Sequence, residues 1–307
     1  MNKKIAIVAG EPSSINSEII VKSWKKIKKK YKKNIFVIGN YNLIKKEFNK
    51  IKAKVSTKKI NSFSEIDSSR NLKILNVPLG SRYVLRCIDK AHELAIKKKI
   101  IGFINCPVNK NIFKLKYSGM TEYLAKKNAA DSSVVMMIYN KKLSVVPIST
   151  HIPIKEISKK LNKKLIEKKI ITLNNFYRKL LKRKPRIAIL GLNPHNDEFR
   201  SVSEEKKIIL PTIKKLKKNK YKVMGPFSAD TIFLNKKKYR YDVIVGMYHD
   251  QVLAPFKAVY GFDAINVTLG LKYIRVSPDH GIAKDIVGSN KANPLSLIKA
   301  IEFIFNI

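Results

Sequence analysis

Short apolar runs closed by polar clusters recur along the chain, with amphipathic stretches between them. Lys4 to Ala9, Ile35 to Ile38, Lys73 to Val77 and Ile101 to Asn105 read as strands. Helices are expected from Asn42 to Lys50 and from Arg82 to Lys99, where Val84, Leu85, Ile88, Ala91, Leu94 and Ala95 recur at helical spacing. The turn GEPSSINSE, Gly10 to Glu18, leads into a further helix whose amino end suits an anion. Such alternation is the rhythm of a parallel sheet covered by helices. It changes at Val134 to Tyr139 and Leu143 to Ser149, two β-rich runs split by Asn140-Lys141-Lys142, which predict a hairpin and a second domain. A helix from Lys163 to Lys182, a strand from Arg186 to Leu190 and a helix from Ser203 to Lys218 follow. Asp242 to Met247 (DVIVGM) has the continuous apolar character of a buried parallel strand, and a last helix is expected from Pro294. No internal repeat or low-complexity linker interrupts the pattern.

Three of these runs deliver an imidazole at their carboxyl ends. LSVVPISTHIP closes on His151, RIAILGLNPHN on His195 and DVIVGMYHD on His249, out of five histidines in the chain. One histidine at a strand end is ordinarily a hydrogen-bonded structural residue; three at equivalent places in one sheet suggest convergence. Neutral imidazoles suit a divalent ion such as zinc, cobalt or manganese acting as a Lewis acid. Gaps of 44 and 54 residues between them are too long for a zinc finger and fit a catalytic site assembled from separate loops. Thr121, in GMTEYLA, has the position of a helix cap as well as of a ligand contact.

Composition adjusts this picture at two points. With 64 Lys and Arg against 22 Asp and Glu, the formal net charge is +42, which by itself would raise nucleic acid or membrane as a partner. The lysines are dispersed over nearly every expected helix face and turn, so a solvated surface is the simpler account; neither a nucleic-acid motif nor a basic patch interleaved with aromatics is present. Cys87 and Cys106 lack CxxC spacing and read as reduced core thiols. The apolar run at the amino end is too short for a signal peptide, and no run approaches the roughly 20 residues of a membrane span, so a soluble cytoplasmic protein is expected.

Taken in order, GEPSSINSEI, PVNK, GMTEYLA, STHIPI, GLNPH, GPFSADT, MYHDQ, NVTLGL, IRVSPDHG and DIVG resemble the 4-hydroxythreonine-4-phosphate dehydrogenase family over nearly the whole chain. The resemblance implies an α/β, two-domain isocitrate/isopropylmalate dehydrogenase-like fold. In that arrangement residues 1–128 and 278–307 form a first domain carrying both termini, and 129–277 a second with the metal ligands and the dimer interface. Such a fold agrees with the absence of a GxGxxG Rossmann turn, since HGIAKDIVG resembles the adenosine-binding segment of the wider group.

By that resemblance His151, His195 and His249 are metal ligands for zinc, magnesium or cobalt, in a site shared across a homodimer. Met120, Thr121, Lys257, Asn266 and Arg275 match substrate-contacting positions for a small phosphorylated amino acid. Glu198, His280, Gly281 and Asp285 fall in the segments expected to hold NAD or NADP. Lys and Arg suit a phosphate or carboxylate. Asp230 or Asp250 is placed to orient an imidazole or accept the hydroxyl proton, with Lys257 as a third catalytic candidate. The implied reaction is oxidation of 4-phosphooxy-L-threonine to a β-keto acid that decarboxylates to 3-amino-2-oxopropyl phosphate, a step in pyridoxal 5'-phosphate biosynthesis. Two alternatives are a related dehydrogenase of another phosphorylated hydroxy acid and an inactive, basic polyanion-binding relative. The chain departs from the family where Met120 replaces a substrate-touching His, and where SSINS and Asn196 to Arg200 replace glycine-rich turns, since glycine is what ordinarily permits positive φ.

Overall fold

The computed structural model describes residues 4–113, 117, 119–129, 134–234 and 240–307; the first three residues of the amino-terminal stretch and the lysine-rich 235–239 lie outside them. The chain forms two compact units, Met1–Tyr117 with Phe262–Asn266 and Lys272–Ile307, and Ser118–Gly261 with Val267–Leu271.

In the first unit the strands lie in the order β3 (Thr57–Ile60), β4 (Leu72–Asn76), β2 (Ile35–Gly39), β1 (Ile5–Val8), β5 (Gly102–Asn105) and β12 (Ile274–Pro278). Each pairs with its neighbour in parallel. Every residue of β1, β2 and β5 is buried, as an all-parallel sheet covered on both faces requires. The strand β3, TKKI, was not expected from the sequence. It is an edge strand whose Lys58 and Lys59 face solvent, and such charges protect an open edge while hiding it from a hydrophobic pattern. The closing helix Leu295–Asn306 buries Leu297, Ala300, Ile301 and Ile304, one stripe at helical spacing.

Boundaries expected at 128/129 and 277/278 do not coincide with this division. Arg275 stands opposite Phe103 in the β12–β5 ladder, so the hydrogen-bonded pairing keeps Lys272 to Ser277 with the first unit. The strand β11 (Ile265–Leu269) gives Ile265 and Asn266 to the first unit and its remaining residues to the second.

In the second unit the order is β6 (Val135–Tyr139), β7 (Ser144–Pro147), β10 (Val243–Gly246), β8 (Ile187–Leu190) and β9 (Val223–Phe227). The expected hairpin is present, β6 and β7 being antiparallel, while β7, β10, β8 and β9 run parallel. Helix Lys163–Lys179 matches its expected start and buries Ile166, Ile170, Leu173 and Tyr177. The helix expected from Ser203 opens instead with a π-helical turn, Glu205–Ile209, before Leu210–Lys218. Pro211 has no N–H to give to the preceding turn, which accounts for the looser winding there.

Candidate active site

The strand β10 lies between β7 and β8, and neighbouring strands in a sheet are about 4.8 Å apart. Because the three are parallel, His151, His195 and His249 all follow the same carboxyl edge of the second unit's sheet. The structure brings His151 and His249 side by side, with ring centroids 5.9 Å apart. Each has a carboxylate on its Nδ1 side. His249 Nδ1 is 2.6 Å from Asp250 Oδ1, and His151 Nδ1 is 3.8 Å from Glu122 Oε1. A carboxylate only accepts, so the short contact places the His249 proton on Nδ1 and leaves the Nε2 lone pair for a ligand.

His249 is the first residue of helix His249–Tyr260, so the strand passes almost directly into a helix; Pro255 obscures that helix in the sequence. Lys257 lies exposed on the same helix. His195 is exposed too, but its backbone differs. Residues His195, Asn196, Asp197, Glu198 and Phe199 all take positive φ, between 45° and 57°, a left-handed turn without a single glycine. Such a conformation costs roughly 1–2 kcal/mol per L-residue, so the surroundings must hold it. Fully buried Glu205 fixes the residues that lead into it: Oε1 accepts from the Leu192 and Asn193 backbone N–H groups at 2.6 and 2.8 Å, and Oε2 from Asn193 Nδ2 at 3.1 Å. Arg200 Nε donates to Asp197 Oδ1 at 2.9 Å and closes the far end. The turn thus takes a left-handed path with no glycine in it. Among the described residues no group of three His, Cys, Asp or Glu side chains is already closed around a metal position.

Met120 and Thr121 begin helix Met120–Lys127, with Met120 buried and Thr121 half-buried. The Thr121 side chain does not cap that helix, whose cap position is Gly119. Glu122, which the sequence did not single out, accepts a bond from Thr150 Oγ1 at 3.3 Å besides facing His151. Burial raises its pKa, but His151, a backbone N–H and Thr150 outweigh that and hold the carboxyl below its ordinary value. Lys169 is within electrostatic reach of this carboxylate; burial lowers its ammonium to about 8 against the pull of Glu122. Asp230 and Asp250 are both exposed, and only Asp250 contacts a histidine. Glu198 is exposed on the left-handed turn.

The remaining candidates belong to the first unit. Arg275, on β12, is buried and its Nε donates to Asn105 Oδ1 at 2.6 Å. Asn266 presents a buried Oδ1 that has no hydrogen-bond partner among the described residues. His280 Nδ1 lies 3.0 Å from the Gly281 carbonyl, and Gly281 and Asp285 are exposed.

The chain shares the α/β fold class of an isocitrate dehydrogenase structure from Methylococcus capsulatus, which matches 99% of it and 85% of that chain with a TM-score of 0.52 at 13% identity, a likeness of fold alone. Within that class the chain belongs to the family described as pyridoxal phosphate biosynthetic protein PdxA, whose model matches residues 31–304. It is 36% identical to the 4-hydroxythreonine-4-phosphate dehydrogenase of Sulfurihydrogenibium sp. (strain YO3AOP1), over 97% of this chain and 96% of that one. It is also 31% identical to the D-threonate 4-phosphate dehydrogenase of Pectobacterium atrosepticum, over the full length of both. Among solved structures, the 4-hydroxythreonine-4-phosphate dehydrogenase of Klebsiella pneumoniae superposes with a TM-score of 0.85 at 30% identity, covering 99% of this chain and 98% of that one.

Proposed function

We propose that the chain is a divalent-metal- and NAD(P)-dependent dehydrogenase that oxidises the secondary alcohol of 4-phosphooxy-L-threonine. The observation that carries this reading is the pair of neighbouring imidazoles at parallel strand ends, each with a carboxylate behind its Nδ1, in a chain of this family. A donor set of His151, His249 and His195 fits a borderline-soft divalent ion, with His195 supplied from the next strand end. When bound, such an ion supplies Lewis acidity that lowers the pKa of a coordinated alcohol.

The chain's own residues then have the following parts. Asp250 or Asp230 takes the hydroxyl proton; Asp250 is the stronger candidate because it already hydrogen-bonds His249. Lys257 meets anionic oxygens by charge, and Arg275 by a guanidinium whose direction is set within the first unit. Asn266 offers its unpartnered carbonyl oxygen to a substrate donor. The carbinol C–H leaves as hydride to the nicotinamide, reducing NAD(P) as the alcohol becomes a ketone. The resulting β-keto acid loses its carboxylate as carbon dioxide, giving 3-amino-2-oxopropyl phosphate. Glu198, His280, Gly281 and Asp285 take the dinucleotide in this reading, and two copies of the chain complete the site between them.

The test is formation of reduced nicotinamide from the phosphorylated hydroxythreonine, with and without chelator. Activity that is absent, or that survives complete chelation, overturns it. A second reading, supported by the Pectobacterium relative, takes D-threonate 4-phosphate as substrate. Buried Met120, which offers no hydrogen-bond donor, bears on that choice. Comparing kcat/KM on the two compounds decides it.

A further inference from the structure

Like Glu205, the buried polar residue Gln251 contacts the His195 loop near its start. Gln251 sits two residues after His249, on the first turn of helix His249–Tyr260, with a side chain 9% exposed. Its Oε1 accepts the Met247 N–H at 2.7 Å, where β10 gives way to the His249 turn. Its Nε2 donates to the Gly191 carbonyl at 2.8 Å, where β8 gives way to the His195 loop. A single carboxamide therefore spans two strand ends, each leading within a few residues to a histidine. Gly246 is fitted to it, since a Cβ there would come within 2.8 Å of Gln251 Oε1, whereas a Cβ on Gly191 would meet Asn196 and Glu205 instead. The strand ladder stops short of this point, because β10 pairs with β8 only as far as Val245 and Ile189. Beyond it, the Gln251 bond to Gly191 continues the link between the two strand ends.

We infer that Gln251 is a positioning residue for the metal site, setting the separation of the His195 and His249 loops through its bonds to Gly191 and Met247. The inference rests on the reading of His195 and His249 as ligands. A carboxamide of this length suits the role. It must accept at one end and donate at the other without charge, and it must reach from a helix turn to a neighbouring strand end. Glutamate keeps the acceptor but turns an oxygen toward the Gly191 carbonyl; methionine keeps the length and loses both bonds. Removing a residue that orients metal ligands typically weakens metal affinity about 10–100-fold.

The experiment titrates cobalt(II) into the full-length protein and into the Gln251→Met, Gln251→Glu, His195→Ala and His249→Ala variants. Affinity, the visible absorption of the bound cobalt and the metal-free melting temperature are read for each. The expected result is that Gln251→Met folds, binds cobalt about 10–100-fold more weakly and shifts the absorption bands, with Gln251→Glu at least as impaired. A band shift reports altered ligand geometry, which mere loss of core stability would not produce. Wild-type affinity and spectrum in folded Gln251→Met overturn the inference while leaving the ligand reading intact. Undiminished cobalt binding by folded His195→Ala and His249→Ala overturns the ligand reading, and the role of Gln251 falls with it. Failure of both Gln251 variants to fold assigns the residue to the core and also overturns the inference.

Discussion

The candidate functional groups are housed differently in the two units. In the second unit the reactive groups stand outside: His151 and His195 are exposed, and the buried polar residues Glu205 and Gln251 hold the backbone beneath them. In the first unit the reactive groups are themselves inside. Arg275 and Asn105 are each 3% exposed and bonded to one another. The difference teaches where function and stability separate. A side chain whose support lies beneath it can be removed with the fold left standing, whereas removing a buried guanidinium strands its partner.

The largest expected effect tests the first half of that contrast. His195→Ala and His249→Ala should each lower turnover by more than about a hundredfold, beyond the usual cost of losing an orienting residue, and should no longer retain metal. Stability should move by no more than about 0.5 kcal/mol for exposed His195, as for other surface substitutions. Elemental analysis, steady-state rates and thermal melts check this together. Variants that stay folded and keep their metal remove these residues from the ligand set.

Arg275→Ala tests the other half. Asn105 Oδ1 would be left buried without its donor, so a stability loss of about 1–3 kcal/mol should accompany a rise in KM of roughly tenfold or more. Arg275→Lys keeps the charge and loses the planar fork, and should fall between. If Arg275→Ala weakens binding with no change in chemical denaturation, the buried pair is not structural and the contrast between the units fails.

How much of this was legible beforehand follows from which physical signals a sequence carries. The buried strands β1, β2, β5 and β10 are continuous apolar runs, and the hairpin at Asn140 to Lys142 announces itself by turn residues. The three strand-end histidines could be read for the same reason. The edge strand β3 could not, because its lysines erase the pattern. Nor could helix His249–Tyr260, whose apolar face is interrupted by Pro255. Glu122, Glu205 and Gln251 escaped because their roles depend on which strand ends become neighbours, although Gln251 lies within MYHDQ and Glu122 within GMTEYLA. The left-handed turn at His195 was hidden for a further reason: without glycine, nothing local points to positive φ, and Glu205, which anchors the residues leading into it, lies beyond the turn in sequence.

A smaller effect, on acid stability, sharpens the account of the second unit. Asp242 enters β10, and although burial raises its pKa, the Arg186 backbone N–H at 2.8 Å and the Arg183 and Arg186 side chains lower it below the ordinary carboxylate value. A carboxyl depressed in the folded state contributes stability that is fully present above its unfolded pKa, about 3.9, and is lost as pH falls through the folded value. Wild-type protein should therefore lose on the order of 1 kcal/mol below about pH 4 that Asp242→Asn does not lose, its stability in that range being flatter from a lower starting point. Denaturant melts at a series of pH values check this, and parallel pH curves for the two proteins would exclude Asp242 as a source.

The smallest effect concerns Met120, and it bears on which substrate the exposed edge serves. Met120 is 8% exposed at the start of helix Met120–Lys127, so a substituted imidazole would give up part of its hydration unless a substrate group meets it. A hydrogen bond to a charged group is worth roughly 1.5–3 kcal/mol, and the burial cost offsets part of that gain. Met120→His should therefore lower KM for the phosphorylated hydroxythreonine by less than about tenfold, with kcat little changed, since a contact made equally in ground and transition states acts on KM alone. Against D-threonate 4-phosphate, measured alongside, the gain should be smaller if 4-phosphooxy-L-threonine is the native substrate. An unchanged or raised KM for the phosphorylated hydroxythreonine would mean that Met120 only packs the helix start, and a gain confined to D-threonate 4-phosphate would move the substrate assignment to that compound.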